Sequence, residues 1–308
     1  MINTILEMMY IFCGIVLIVC GIYAFYDKGN SKKIGSALFW ILFGILFMAG
    51  PYLNKALVGA ILLVMGVLTA TKNVKAGSLI NSSEEFRKAR AKEIGNKIFI
   101  PAISVGVGAF AVAQFTTLGG LVGLGIGALI ALILTIIVTK EKPKYIPYDS
   151  SRLLQQMGPT VILPQLLGAL GAVFAKAGVG EVIATMMGGV IPEGSRLFGV
   201  IGYCVGMAIF TMIMGNAFAA FAVITAGVGV PFVIGLGANP ALVGALGLTA
   251  GYCGTLMTPM AANFNIVPAS ILEMKDKNGV IKAQIPQALI LLVLHIVCLL
   301  YTSDAADE

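Results

Sequence analysis

The chain has 308 residues, of which 58% are hydrophobic and only 11% are charged, and its net charge is +6. Soluble domains carry about 25% charged residues, so this composition excludes a water-soluble globular protein. In a membrane protein, a positive charge of this size reflects cytoplasmic loops rather than binding to nucleic acid. The apolar residues form long runs that suit membrane-spanning helices, and these runs lack the alternation of β-barrel strands.

The first half of the chain predicts five spans separated by loops of alternating charge. The spans are expected at 3–25, 34–50, 53–71, 98–115 and 119–139. Lysine and arginine collect in the loops 26–33, 72–97 and 140–152, whereas the opposite side carries only Lys55. Because basic loops stay in the cytoplasm, the pattern predicts a bacterial inner-membrane protein with its N-terminus outside.

Loop 72–97 also predicts a short amphipathic helix. Ser82 is a plausible N-cap, and Glu85 follows it at the spacing of a capping box.

The second half predicts five more spans, several of them interrupted by Gly, Pro or Asn. They are expected at 158–175, 197–214, 217–237, 240–262 and 284–297. The apolar piece 182–192 is too short to cross and is expected to be re-entrant or interfacial. The predicted fold is therefore an all-α polytopic membrane protein of about ten transmembrane helices, with broken or re-entrant helices in the C-terminal half.

The expected organisation is a five-span N-terminal region, a cytoplasmic linker and a C-terminal half with broken helices. These parts cover 1–140, 141–157 and 158–297. The last stretch, 298–308 (CLLYTSDAADE), resembles the translated end of a sequencing adapter. It is expected to be a scar outside the fold, and a short polar tail is the alternative.

Two segments place Asn or Thr beside Gly or Pro inside apolar stretches. The first is MGNAFAA (214–220), which continues to Gly227, and the second is GYCGTLMTP (251–259), which continues to Asn265. Gly and Pro loosen a helix there, and lipid offers no partner for the freed backbone groups. A polar cavity at discontinuous helices would satisfy them, as in many secondary transporters. Hydrogen bonding between packed helices is the alternative.

The sequence VILPQLLGALGAVFAKAGVGEVIATMM (161–187), followed by GNAFAAFAVITAG (215–227), resembles the gluconate-permease type of the ion-transporter superfamily. The chain to about residue 297 also resembles a family of uncharacterised membrane proteins identified as one subunit of a 5-oxoproline transporter. The resemblance implies binding of a small organic acid at the breaks. The superfamily pattern carries over to Gly215, Asn216 and Thr225, and a looser match covers Thr255, Thr258, Pro259 and Asn263.

The resemblance also implies a partner. Proteins of that superfamily usually have two inverted repeats, each with a broken hairpin, and only 153–297 shows this pattern. A second, smaller membrane subunit or a second copy of the chain is expected to complete the site. Coupling to Na⁺ needs only carbonyl, Asn and Thr oxygens, whereas coupling to H⁺ needs a titratable group, for which Glu181 is the candidate. An interfacial position is the alternative for Glu181.

Enzymatic activity is not expected. An intramembrane metalloprotease needs two histidines in HExxH, and the only histidine is His295. The apolar runs also lack the paired Asp residues of an aspartyl protease. No resident metal or cofactor is predicted, and a non-transporting scaffold or assembly subunit remains the alternative function.

Overall fold

The structure is a computed structural model that describes residues 2–189, 191–192, 194–272 and 274–304. This described part is helical and contains no strand. Eight of its helical stretches, some of which join neighbouring helices, are long and apolar enough to cross a membrane, which confirms the polytopic helical class. The expected count of about ten is not confirmed, because other apolar helices of the described part are shorter, among them Lys55–Ala70 and Pro240–Leu256.

The chain divides after Gly158 into two compact units. The first unit contains seven α-helices within its described residues. They are α1 (Ile2–Tyr26), α2 (Lys33–Ala49), α3 (Lys55–Ala70), α4 (Glu84–Ile94), α5 (Phe99–Phe115), α6 (Gly120–Thr139) and α7 (Ile146–Met157). The main pairs are α1 with α2 and α5 with α6.

Glycines allow both pairs to pack closely. A Cβ atom on Gly14 of α1 would lie 2.7 Å from the carbonyl oxygen of Gly44 on α2. On α6, a Cβ on Gly123 or Gly127 would lie 2.7 or 2.6 Å from a backbone oxygen of α5. Helices that approach this closely gain van der Waals contact, which drives helix association in a membrane.

The start of α4 corrects the predicted cap. The N-cap is Ser83, whose Oγ accepts a hydrogen bond of 3.3 Å from the backbone N–H of Phe86. The expectation that Ser82 and Glu85 form a capping box is therefore wrong. The residue three positions after Ser83 is Phe86, whose side chain has no acceptor to complete the box.

Segment 141–157, expected to be a linker, is mostly helical and belongs to the first unit. Its helix α7 packs against α1, where the Cys20 thiol contacts the carbonyl oxygen of Ser151. On the same helix, the Tyr148 hydroxyl lies 3.1 Å from both the backbone nitrogen and the backbone oxygen of Ile80. The segment therefore contacts the non-helical stretch that precedes α4 and helps to hold it in place.

The second unit is built around α10, α13 and α15. Its helices are α8 (Leu163–Lys176), α9 (Val179–Gly188), α10 (Arg196–Met214), α11 (Ala217–Ile224), a π-helical segment (Thr225–Gly229), α12 (Val230–Phe232), α13 (Pro240–Leu256), α14 (Ala262–Ile271) and α15 (Gly279–Asp304). Helix α15 continues past Val297, and 305–308 of the expected scar lie outside the described residues.

Tyr203 of α10 lies at the centre of this core and is fully buried. Its hydroxyl lies 2.9 Å from Oγ of Thr225, so the buried phenol is satisfied within the unit. On α13, a Cβ on Gly247 would overlap the Tyr203 hydroxyl, and one on Gly254 would overlap the carbonyl oxygen of Ala208. Helices α10 and α13 therefore pack in close contact along their length. This packing fixes the position of their C-terminal ends relative to each other.

Candidate functional site

The first helix break separates α10 from α11. Gly215 follows α10 with φ +67°, in the left-handed region that favours glycine, and its N–H donates to the carbonyl oxygen of Thr211. Asn216 then caps α11, and its Oδ1 accepts from the N–H groups of Phe218 (2.9 Å) and Ala219 (3.4 Å). The Gly-Asn pair thus ends one helix and starts the next.

The second break separates α13 from α14, and it corrects the prediction of one span over 240–262. Helix α13 ends at Leu256, and Met257–Ala261 form a non-helical connection to α14. Asn265 of α14 reaches back, and its Nδ2 donates to the carbonyl oxygens of Thr255 (2.7 Å) and Thr258 (2.6 Å). A buried amide therefore satisfies two carbonyl groups that the interrupted helix leaves free.

The two breaks touch each other. A Cβ on Gly215 would lie 2.6 Å from the carbonyl oxygen of Met260, so only glycine permits this approach. The Thr258 hydroxyl donates to the carbonyl oxygen of Met212, near the end of α10, at 2.8 Å. Four helix ends consequently meet in one small region of the second unit.

A cavity of about 190 Å³ opens at this meeting point. It is lined by Gly215, Asn216, Ala217, Phe218, Tyr252, Thr255, Asn263 and Phe264. Phe218 and Tyr252 meet edge to face with ring centroids 6.1 Å apart, and they form an aromatic wall. None of the lining residues is charged, so the cavity offers amide, hydroxyl and backbone groups to an occupant.

Two helices start at this cavity. Asn216 uses Oδ1 to cap α11, which leaves its Nδ2 as a donor, whereas α14 has no side-chain cap. The free N–H groups and partial positive charge of a helix N-terminus attract anions. The arrangement can therefore bind a carboxylate without a Lys or Arg side chain.

The structure brings four of the predicted site residues together, namely Gly215, Asn216, Thr255 and Asn263. Thr258 and Pro259 lie in the second break but do not line the cavity. Thr225 lies in the π-helical segment, where its hydroxyl contacts Tyr203.

Glu181 lies apart from the cavity. It is exposed in the first turn of α9, and it does not line the cavity. Its role in proton coupling stays a prediction.

Asn265 belongs to the second segment of the sequence analysis but was not selected there as a site residue. Its side chain is fully buried, and its Oδ1 has no partner within the described part of the chain. The signal was the triplet Asn263-Phe264-Asn265, in which both amides follow the break. Two residues that are two positions apart in a helix lie on different faces. Asn263 therefore lines the cavity, whereas Asn265 bonds to the carbonyl groups at the break.

Among the described residues, two buried oxygens near the breaks are candidates to bind a cation. Thr211 Oγ1 and Asn265 Oδ1 are both buried without a hydrogen-bond partner among the described residues. The described part of the chain contains no cluster of three or more His, Cys, Asp or Glu side chains that could hold a transition metal.

The fold and the cavity define a multi-pass helical membrane protein with a cavity of mixed polar and apolar lining at two interrupted helices. The chain belongs to the family described as "Protein of unknown function (DUF979)", whose sequence profile matches residues 7–303. No curated protein and no solved structure matches the chain.

Proposed function

We propose that this chain is a subunit of a secondary transporter for a small organic acid, which binds where the two interrupted helices meet. The resemblance of the chain to the 5-oxoproline transporter family makes 5-oxoproline the first substrate to test. The observation that carries the proposal is the cavity between the two breaks, which combines Asn216, Thr255 and Asn263 with the uncapped start of α14.

The size and chemistry of the cavity favour a small anion. Pockets for drug-sized ligands measure about 300–1,000 Å³, and this cavity of about 190 Å³ suits a smaller metabolite. A carboxylate would accept hydrogen bonds from the uncapped start of α14 and from Nδ2 of Asn216. The Phe218 and Tyr252 rings would cover the apolar side of the same molecule.

The breaks also offer what an ion-coupled mechanism requires. Interrupted helices in secondary transporters can supply oxygen ligands for a coupling Na⁺. Here Asn265 already satisfies the carbonyl groups of Thr255 and Thr258, so side-chain oxygens are the ligands to consider. The unpartnered oxygens of Thr211 and Asn265 are available for the same purpose. If H⁺ is the coupling ion, Glu181 is the carboxylate to test.

The basic loops favour insertion in a bacterial inner membrane with the N-terminus outside. All residues that line the cavity come from the second unit. A smaller membrane subunit or a second copy of the chain would supply the other half of the site that the transporter resemblance implies.

Uptake of labelled 5-oxoproline in cells that express the chain with its partner tests this function. Asn216→Asp keeps the capping oxygen but replaces the Nδ2 donor with a negative charge, so we expect uptake to fall at least about tenfold. Asn239→Asp is the matched control. Asn239 caps α13 with the same geometry, with Oδ1 to nitrogen distances of 2.9 and 3.4 Å, and it lies outside the cavity.

Each result has one interpretation. Loss of uptake in Asn216→Asp, with normal membrane levels and normal uptake in Asn239→Asp, supports a binding role for the cavity. Equal uptake in both variants contradicts it. Failure of the wild-type chain to accumulate 5-oxoproline, with and without the partner, excludes that substrate. A loss of complex assembly without a binding defect would favour the scaffold alternative.

A further inference from the structure

A second cavity, of about 480 Å³, lies in the first unit at the N-terminal end of α2. Its polar side carries Lys28, Lys32 and Lys33, all with exposed side chains. Its apolar side carries Ile34, Leu38 and Leu68. The proposed transport function uses none of these residues.

The loop that carries the lysines is held in place by hydrogen bonds. Asn30 is buried, its Oδ1 accepts from the N–H of Lys32 (2.9 Å), and its Nδ2 donates to the carbonyl oxygen of Lys75 (3.3 Å). Ser36 of α2 donates to the same oxygen at 3.0 Å and accepts from the N–H of Lys75 at 3.0 Å. The loop is therefore preorganised, which lowers the entropy cost of binding a ligand there.

The electrostatic balance at this cavity is positive. No Asp or Glu lines it. The nearby Asp27 is buried, and its carboxylate accepts hydrogen bonds from the N–H groups of Gly29 and Ser78 and from the Ser78 hydroxyl. A further cation, Lys75, places Nζ 3.4 Å from the hydroxyl of Ser31 on the cavity wall. The first turn of α2 has no side-chain cap, so its partial positive charge adds to that of the lysines.

The apolar side of the cavity identifies the kind of anion. Ile34 and Leu38 are 68% and 42% exposed, and both lie on the candidate membrane span that begins at Lys33. The lysines therefore lie at the end of a span, at the level of lipid head groups, with exposed apolar side chains on the membrane side. A ligand that matches both sides has an anionic head and a hydrocarbon tail.

We propose that this cavity is a specific binding site for an anionic phospholipid. The phosphate group contacts Lys28, Lys32 and Lys33, and the first part of an acyl chain lies along Ile34 and Leu38. Clusters of basic residues at the cytoplasmic ends of spans recognise anionic lipids by this combination of charge and apolar contact.

Native mass spectrometry of the purified protein in neutral detergent tests the site. Phosphatidylglycerol and phosphatidylcholine with identical acyl chains are titrated against wild type and against a variant with Lys28, Lys32 and Lys33 changed to Gln. Each lysine near an anionic lipid contributes roughly fivefold in affinity. Three such contacts would multiply to roughly a hundredfold, so we expect phosphatidylglycerol binding to weaken roughly tenfold to a hundredfold in this variant, with little change for phosphatidylcholine.

The matched control changes Lys140, Lys142 and Lys144 to Gln, which removes the same charge from another basic segment of the first unit. We expect its phosphatidylglycerol affinity to stay within about twofold of wild type, well below the fivefold effect of one bound lysine. Circular dichroism and a single elution peak establish that both variants fold. Equal losses in the two variants, or equal binding of the two lipids by wild type, would overturn the proposal.

Competition distinguishes a lipid from a soluble anion. Glycerol phosphate carries the head-group chemistry without the acyl chains, so we expect it to displace phosphatidylglycerol poorly. Ile34→Asn with Leu38→Asn should weaken the lipid and leave any glycerol phosphate binding unchanged. Full displacement by glycerol phosphate at concentrations similar to those of the lipid would contradict a phospholipid site.

Discussion

At the scale of single residues, Asn263 and Asn265 show how position decides the role of an amide. Asn263 is exposed and lines the cavity at the start of α14. Asn265, two positions later, is buried and bonds to the carbonyl oxygens of Thr255 and Thr258. The first is suited to ligand binding and the second to holding the interrupted helix open.

Replacement of Asn265 by Leu should destabilise the protein. The change leaves two buried carbonyl groups without a partner, which costs about 1–3 kcal/mol for each. We expect the thermal unfolding midpoint in detergent to fall by at least about 5 °C. Asn263→Leu is the matched control and should leave the midpoint almost unchanged while uptake is lost. The same midpoint shift in both variants would show that Asn265 has no special structural role.

Asp27 is a second residue whose surroundings determine its charge. Burial raises the pKa of this carboxyl group. Hydrogen bonds from the Ser78 hydroxyl and from the N–H groups of Ser78 and Gly29 together lower the pKa by a larger amount, so the net pKa is below its ordinary value. The ionised form is thus favoured in the folded protein. It ties the end of α1 to the chain that precedes α4.

The lowered pKa of Asp27 predicts a pH-dependent stability. The stabilisation is complete above the ordinary carboxyl pKa of about 3.9 and is lost as the pH falls through the lowered folded value. Asp27→Asn should therefore lower the unfolding midpoint at pH 7, and the gap to wild type should narrow below about pH 4. Thermal scans across this range measure the gap.

Asp276→Asn provides the comparison for this pH series. The pKa of Asp276 is also lowered, by a hydrogen bond from Lys282 and one from the N–H of Asn278, but both side chains are exposed. Solvent screens such a pair, so we expect little change at any pH. A gap between wild type and Asp27→Asn that stays constant with pH would contradict the role of the Asp27 charge.

At the scale of elements, the contact between the two helix breaks positions the cavity. Gly215 has positive φ, and its Cα faces the carbonyl oxygen of Met260. A side chain there would meet both an unfavourable backbone conformation and a crowded neighbour. The breaks therefore act as one structure rather than as two separate interruptions.

Gly215→Ala should separate these two effects when it is compared with Gly178→Ala. Both glycines have left-handed φ, +67° and +71°, which costs Ala about 1–2 kcal/mol. The nearest atom to a Cβ on Gly178 lies 3.6 Å away, whereas on Gly215 it lies 2.6 Å away. Overpacking adds about 1–3 kcal/mol, so Gly215→Ala should unfold at a lower temperature and lose uptake. Equal midpoints and unchanged uptake would show that the breaks do not depend on this contact.

The elements also show what the sequence could predict. The expected spans 3–25 and 34–50 match α1 and α2 within one residue at each end, because long apolar runs end where charged or turn residues begin. The expected span 240–262 was wrong at its C-terminal end, because α13 stops at Leu256. Composition cannot locate that stop, since it depends on hydrogen bonds from Asn265 and Thr258 that form only in the packed unit.

At the scale of the whole molecule, the sequence was sufficient to predict the class of protein but not the geometry of the candidate site. The apolar composition was sufficient to predict a multi-pass helical protein. Gly215 and Asn216 could be selected because a Gly-Asn pair inside an apolar run is unusual for a continuous helix. The cavity itself could not be predicted, because it requires that residues near 216, 252 and 263 meet in space.

The two units divide the proposed roles. The second unit contains the candidate substrate cavity, and the first contains the basic cavity proposed for an anionic lipid. The two sites share no residues. A variant that loses lipid binding can therefore be tested for uptake, and a variant of Asn216 can be tested for lipid binding, without confusion of the two proposals.

The central claim is that the cavity at the two breaks carries a small organic acid across the membrane. Its most direct test is uptake of labelled 5-oxoproline into proteoliposomes under an imposed Na⁺ or H⁺ gradient, with the chain alone and with the smaller subunit proposed above. We expect gradient-driven accumulation with wild type and Asn239→Asp, and at least about a tenfold loss with Asn216→Asp. Accumulation by Asn216→Asp equal to that of wild type would contradict the claim.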